Sequence, residues 1–130
     1  MIRKLALALV LALPLLAGCS GEQLAEVTGT VKIDGKPLPE GEIIFEAADG
    51  NTTPAASKIK DGVYTVRVAP GSKKVKVTAS RPPKKPDPML GAAAREQMLG
   101  PEYNDRTTLV ADIKPGTNPD IDFDVKERPK

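Results

Sequence analysis

A period of two constrains this chain more than any other feature. From Val27 onward apolar and polar residues alternate, and Gly, Pro or Asp breaks the alternation every few residues. Successive side chains of a strand point to opposite faces, so such a run buries one face and wets the other. "VTGTVKI" (27–33) puts Val27, Gly29, Val31 and Ile33 on one side and Thr28, Thr30 and Lys32 on the other. "EIIFEA" (42–47) groups Ile43, Phe45 and Ala47, and "KKVKVTA" (73–79) groups Val75, Val77 and Ala79 against Lys74, Lys76 and Thr78. Further runs lie at 56–60, 63–68, 107–113 and 120–125, the last setting Ile121, Phe123 and Val125 against Asp120, Asp122 and Asp124. "DGKPLPEG" (34–41), "ADGNTTP" (48–54), Asp61-Gly62 and Ala69-Pro70-Gly71-Ser72 supply turns. Seven short strands in about 100 residues predict an all-β domain over 27–126, built as a two-sheet sandwich, with a short tail at 127–130.

One stretch departs from this pattern. "SRPPKKPDPMLGAAAREQMLGPEYNDR" (80–106) is too long for a simple turn. Its proline-rich first part should be extended and stiff, because each proline fixes its own backbone and restrains the residue before it. "DPMLGAAAREQMLG" then reads as a short helix, with Asp87 as cap, Pro88 in the first turn and Gly100-Pro101 as the stop. Gly91 weakens such a helix without having to break it. Long ordered loops often carry function, and Tyr103, Asn104, Arg81, Lys84 and Lys85 are the candidate contact residues here. The competing reading is a packed crossover that closes the sandwich, with Tyr103 pinning the loop and the basic residues simply solvated.

The chain opens differently. Met1-Ile2-Arg3-Lys4 carries two positive charges, and the 14 residues that follow, "LALALVLALPLLAG", carry none. A basic start, a short apolar run and small residues at its end predict a secretory signal peptide over 1–18. A membrane-spanning helix needs about 20 apolar residues, and this run is shorter and contains Pro14. "Leu16-Ala17-Gly18-Cys19" resembles the lipobox of bacterial lipoproteins. The resemblance implies cleavage between Gly18 and Cys19, thioether attachment of a diacylglyceryl group to Cys19, and acylation of the new amino terminus. Cys19 is the one cysteine of the chain, so an internal disulfide is excluded. Residues 19–26 then form a lipidated tether that holds the domain near a membrane, and Ser20 after the cysteine resembles outer-membrane sorting.

Losing residues 1–18 would remove Arg3 and Lys4 and no acid, leaving 17 basic and 17 acidic residues. The balance is zero, so a basic footprint for nucleic acid is absent. With no tryptophan and only two phenylalanines and two tyrosines, the core has to come mainly from aliphatic side chains.

Three longer stretches resemble a known family. "VTGTVKIDGKPLPEGEIIFE", "DGVYTVRVAPGSKKVKV" and "PEYNDRTTLVADIKPGTNPDIDFDV" are similar to the carboxypeptidase regulatory-like, transthyretin-like (prealbumin-like) domains, and to small bacterial lipoproteins made of one such domain. The resemblance spans most of 27–125. It implies a seven-stranded Greek-key β-sandwich, no catalytic residues, and an accessory or adhesive role.

The residues themselves agree with a role outside catalysis. Without histidine, the usual general base, metal ligand and Ser-His triad are missing. "DIDFDV" superficially echoes a calcium loop, but Ile121 and Phe123 are core-like and the loop's Gly and distant Glu are absent; no metal site and no cofactor is expected. The expectation is a lipid-anchored envelope module, structural or protein-interacting, with a membrane, an envelope protein or a polysaccharide as partner. The alternative is a glycan- or peptide-binding module that uses the 80–106 loop.

Overall fold

The computed structural model describes residues 23–129. The expected signal helix, the cleavage site at Gly18 and the lipid attachment at Cys19 lie outside the described residues. Eleven strands run through the described part: β1 (Ala25–Ile33), β2 (Lys36–Pro37), β3 (Glu40–Ala47), β4 (Ala55–Lys60), β5 (Val63–Val68), β6 (Gly71–Thr78), β7 (Ser80–Arg81), β8 (Glu96–Gln97), β9 (Val110–Ile113), β10 (Thr117–Asn118) and β11 (Phe123–Val125). The fold is all-β: one curled, mainly antiparallel sheet in the order β10-β1-β5-β4-β3-β6-β9, plus the small β7–β8 ribbon.

Alternation sets the faces. Val27, Val31, Ile43, Phe45, Val75 and Val77 are completely buried, and Ile59, Val66, Val68, Ile113 and Val125 join them. Lys73 also falls on the inward side of β6; it is 2% exposed and its ammonium donates to Thr52 Oγ1 at 3.2 Å. Asp61 (φ 52°) and Gly62 (φ 76°) both take the left-handed conformation that a two-residue hairpin of this twist requires. β4 and β5 meet at that hairpin, Lys60 opposite Val63. Farther along, the Ser57 hydroxyl bridges them by donating to the Thr65 carbonyl at 2.7 Å.

β1 takes partners on both sides and pairs antiparallel with β5 from Ala25↔Val68 to Thr30↔Val63. Residues 117–125 run parallel to β1, first as β10 (Glu26↔Thr117) and then as β11 (Val31↔Phe123). Between these two short ladders the backbone kinks, with Asp120 at φ 58°. The Ile121 amide donates to the Thr28 carbonyl at 3.0 Å. Its carbonyl accepts the Tyr64 hydroxyl at 2.6 Å, and the Asp122 carboxylate takes both the amide and the hydroxyl of Thr30, at 2.8 and 3.0 Å. Gly29 is required beneath this crossing, since a Cβ there would overlap the Ile121 carbonyl and lie 3.0 Å from the Tyr64 oxygen.

Three expectations are corrected. The strand expected over 120–125 is regular only at 123–125, because side-chain bonds from Tyr64 and Asp122 replace the ladder ahead of it. The helix expected after Asp87 is absent: the stretch makes turns and the β8 strand, and the helical element nearby is a single 3₁₀ turn at Pro101–Tyr103. Asp87 does cap, its carboxylate taking the Met89 and Leu90 amides at 2.7 and 2.8 Å, but Gly91 turns left-handed (φ 53°) and the capped turn does not propagate into a helix. The domain expected to begin at Val27 begins earlier, because Ala25 and Glu26 already pair with Val68 and Arg67.

Burial, reinforced by the Asp122 carboxylate, pushes the Tyr64 phenol well above its ordinary value. Stability from the protonated phenol is therefore fully present below about pH 10 and is lost as pH rises through the higher folded value. Tyr64→Phe should flatten that alkaline decline in urea titrations, and at neutral pH it should lower stability by about 1 kcal/mol through the unbonded Ile121 carbonyl.

Candidate functional site

The 80–106 segment leaves the sheet where β6 ends and returns through the 3₁₀ turn to β9. The β7–β8 ribbon pairs Ser80 with Gln97 and Arg81 with Glu96. Arg95 locks it further, donating from Nη2 to the Ser80 carbonyl at 3.0 Å and from Nε to the Ser80 hydroxyl at 3.2 Å. Buried Ala94 and Leu99 tie the return strand down, and the Met98 amide reaches the Ala79 carbonyl at 2.9 Å.

The polar candidates in this segment mostly face the protein. Arg81 Nη2 lies 2.6 Å from Glu127 and Nε lies 3.4 Å from Glu96; hydrogen bonding to Glu127, then to Glu96, raises the guanidinium pKa above its ordinary value. The Tyr103 hydroxyl accepts the Lys126 amide at 3.0 Å. Asn104 donates from Nδ2 to the Gly100 carbonyl at 3.3 Å and accepts the Asp105 amide at 2.6 Å. Lys84 and Lys85 are exposed on the proline-rich stretch. Arg81 and Tyr103 thus converge on one element, the tail at 126–128, whose Arg128 amide also donates to the Met98 carbonyl at 2.7 Å. The bond between Glu127 N–H and Asp34 Oδ1, at 3.4 Å, fixes the tail from the other side.

Two recesses flank this construction. One, of about 420 Å³, lies between the ribbon and the end of the β3–β4 pair at 40–42 and 58–60; Ile59, Gly41 and Ala79 contribute its small or apolar surface, and Glu42, Lys58 and Arg95 its charge. The other, of about 400 Å³, lies beside Tyr103 and includes Lys32, Asp124 and Lys126. Sequence reasoning missed the first recess. Its signal was the register, in which Glu40 faces Lys60 and Glu42 faces Lys58 across β3–β4, and register is not visible in one strand's alternation. Among the described residues no group of three His, Cys, Asp or Glu side chains is placed to hold a metal ion, and no helix is long and apolar enough to cross a membrane.

No family model matches the chain, and no curated protein matches it significantly. Among solved structures, a 9R-lipoxygenase from Cyanothece PCC8801 is similar over 83% of this chain, at 16% identity and a TM-score of 0.46. The similar part is 17% of that much longer chain. A likeness this low supports neither a shared fold nor a shared activity.

If Tyr103 pins the tail, Tyr103→Phe should cost about 0.5–1.5 kcal/mol. Faster hydrogen exchange at the Lys126 amide, with the β3–β6 amides unchanged, would be the local sign of it.

Proposed function

We propose that this protein is a non-catalytic, lipid-anchored module of the bacterial cell envelope, with a structural or protein-interaction role. In this reading residues 1–18 are removed as a signal peptide, Cys19 carries the acyl chains, and the chain is held at the outer membrane. The domain is a Greek-key β-sandwich of the carboxypeptidase regulatory-like, transthyretin-like kind. One observation carries the structural role: Arg81, Tyr103 and Asn104 are engaged in bonds within the protein, two of them clasping the tail at 126–128. Such a loop closes a domain. The fold class is compatible with the family reading, which rests on the sequence motifs.

A second reading has its own supporting observation. The recess between the β7–β8 ribbon and β3–β4 mixes apolar floor with Glu42, Lys58 and Arg95, a combination suited to a glycan or an extended peptide. In that reading the module binds a ligand with the base of the 80–106 loop, on the side away from Tyr103.

Replacing the proposed attachment residue tests the first reading. Cys19→Ala protein should leave the membrane fraction while its domain keeps the wild-type unfolding midpoint; protein that still sediments with membranes would sink the anchoring argument. Two or three acyl chains, each gaining about 0.8 kcal/mol per buried CH₂, make the expected difference large. A glycan array probed with detergent-solubilised protein separates the readings: specific signals abolished by Arg95→Ala favour the ligand-binding module.

A further inference from the structure

The tip of the β7–β8 hairpin, residues 86–93, reverses the usual arrangement of side chains. Its largest apolar groups are among its most exposed: Met89 is 92% and Leu90 62% accessible. Pro86, Pro88, Gly91, Ala92 and Ala93 beside them are exposed as well. An apolar surface of this kind marks a contact.

The backbone beneath is already prepared for a dry neighbour. Met89 and Leu90 donate to the Asp87 carboxylate, whose pKa these bonds, Leu90's first, hold below its ordinary value. Gly91 donates to the Asp87 carbonyl at 2.9 Å, Ala93 to Leu90 at 3.0 Å and Ala94 to Gly91 at 3.3 Å. Pro86 and Pro88 have no N–H to satisfy. Backbone groups without partners are what normally keep irregular loops out of lipid, and here most donors are bonded inside the tip itself.

Charge selects among possible occupants. Lys84 and Lys85 precede the tip, both exposed, whereas the Arg95 guanidinium that follows it is turned back to Ser80. In a mature chain with 17 bases and 17 acids, this is a basic pair behind an apolar point, the pattern that suits an anionic lipid surface. Protein hot spots favour Trp, Tyr and Arg, whereas 86–93 offers aliphatic and small side chains around a satisfied Asp87.

We propose that this tip is a second membrane contact, seated in the anionic headgroup layer of the same leaflet that holds the anchor; the inference rests on Cys19 being lipidated. Geometry makes the arrangement specific. Ala25, opposite Val68, lies at one end of the sheet, whereas Thr78, opposite Glu42, leads into the hairpin at the other. The six steps from Cys19 to Ala25 span at most about 20 Å, enough for the domain to lie with its strands along the surface. Insertion is then intramolecular, and a contact too weak to hold in free solution is populated at high effective concentration.

The chain has no tryptophan, so Leu90→Trp adds a single indole at an exposed site. Full-length protein purified from membranes is reconstituted into phosphatidylglycerol-containing vesicles with brominated acyl chains. It should float with the vesicles, and its indole emission should shift to the blue and be quenched by the bromine. Adding Met89→Asp should lower the inserted-to-free ratio roughly tenfold, and Lys84→Gln with Lys85→Gln, or a switch to phosphatidylcholine, should weaken quenching. Protein that floats with an unquenched indole overturns the tip contact and leaves the anchor standing. Quenching only by a second, separately added vesicle population overturns the same-leaflet geometry. An indole unquenched in pure lipid but shielded from aqueous acrylamide in native membranes indicates a protein occupant and also overturns it. Failure to float overturns the anchor and the tip contact together.

Discussion

The crossing of the Ile121 carbonyl over Gly29 is what the rest of the sheet depends on. At that point the C-terminal segment must leave a regular ladder and still stay against β1. Three groups make this work: the Tyr64 hydroxyl on the carbonyl, the Thr28 carbonyl on the amide, and the Asp122 carboxylate on Thr30. Each is supplied by a different part of the chain. Tyr64 is itself held by the core, 6.0 Å from the Phe45 ring centre to centre. The packing of β3 and the seating of the C-terminal segment on β1 are therefore one construction, and a side chain at position 29 would separate them.

Much of this was readable from alternation, since each face of a strand is a local property. Val27, Val31, Phe45, Val75 and Val77 are buried where a period of two puts them, and the Asp61-Gly62 turn sits where its dipeptide says. What alternation does not contain is the partner across a gap. Nothing near Gly29 announces Ile121, 92 positions later, nor does anything near Tyr103 announce Lys126. The absent helix has a different cause. Asp87, Pro88 and the alanines are all sound helix-start signals, and a single glycine with a left-handed backbone overrides them within one turn. Register explains the missed recess: Lys58 and Lys60 read as ordinary outward residues until they are set opposite Glu42 and Glu40.

The long loop and the tail illustrate how a chain without disulfides secures an irregular region. Arg81 ties to Glu127, Tyr103 to Lys126 and Met98 to Arg128, so three residues past the last apolar side chain of β11 are still in use. Exposed ion pairs contribute little one by one. The backbone bonds beside them carry more, because each fixes a main-chain donor that sequence changes elsewhere cannot easily remove. Polar side chains that looked available for a ligand are, in the folded chain, the fastenings of the loop.

Parallel pairing of β1 with the last strands has a consequence for how the molecule comes into being. β1 is made early and its companions β10 and β11 late, with some 90 residues between bonded partners such as Thr30 and Asp122. Contacts so distant in sequence close slowly, because the intervening chain must be ordered first. Until they close, one edge of β1 displays unpaired amides and carbonyls, the kind of surface that recruits strands from other chains. A protein that crosses a membrane from its amino terminus would meet this hazard at its greatest extent, with its first strand on the far side and its last still to arrive.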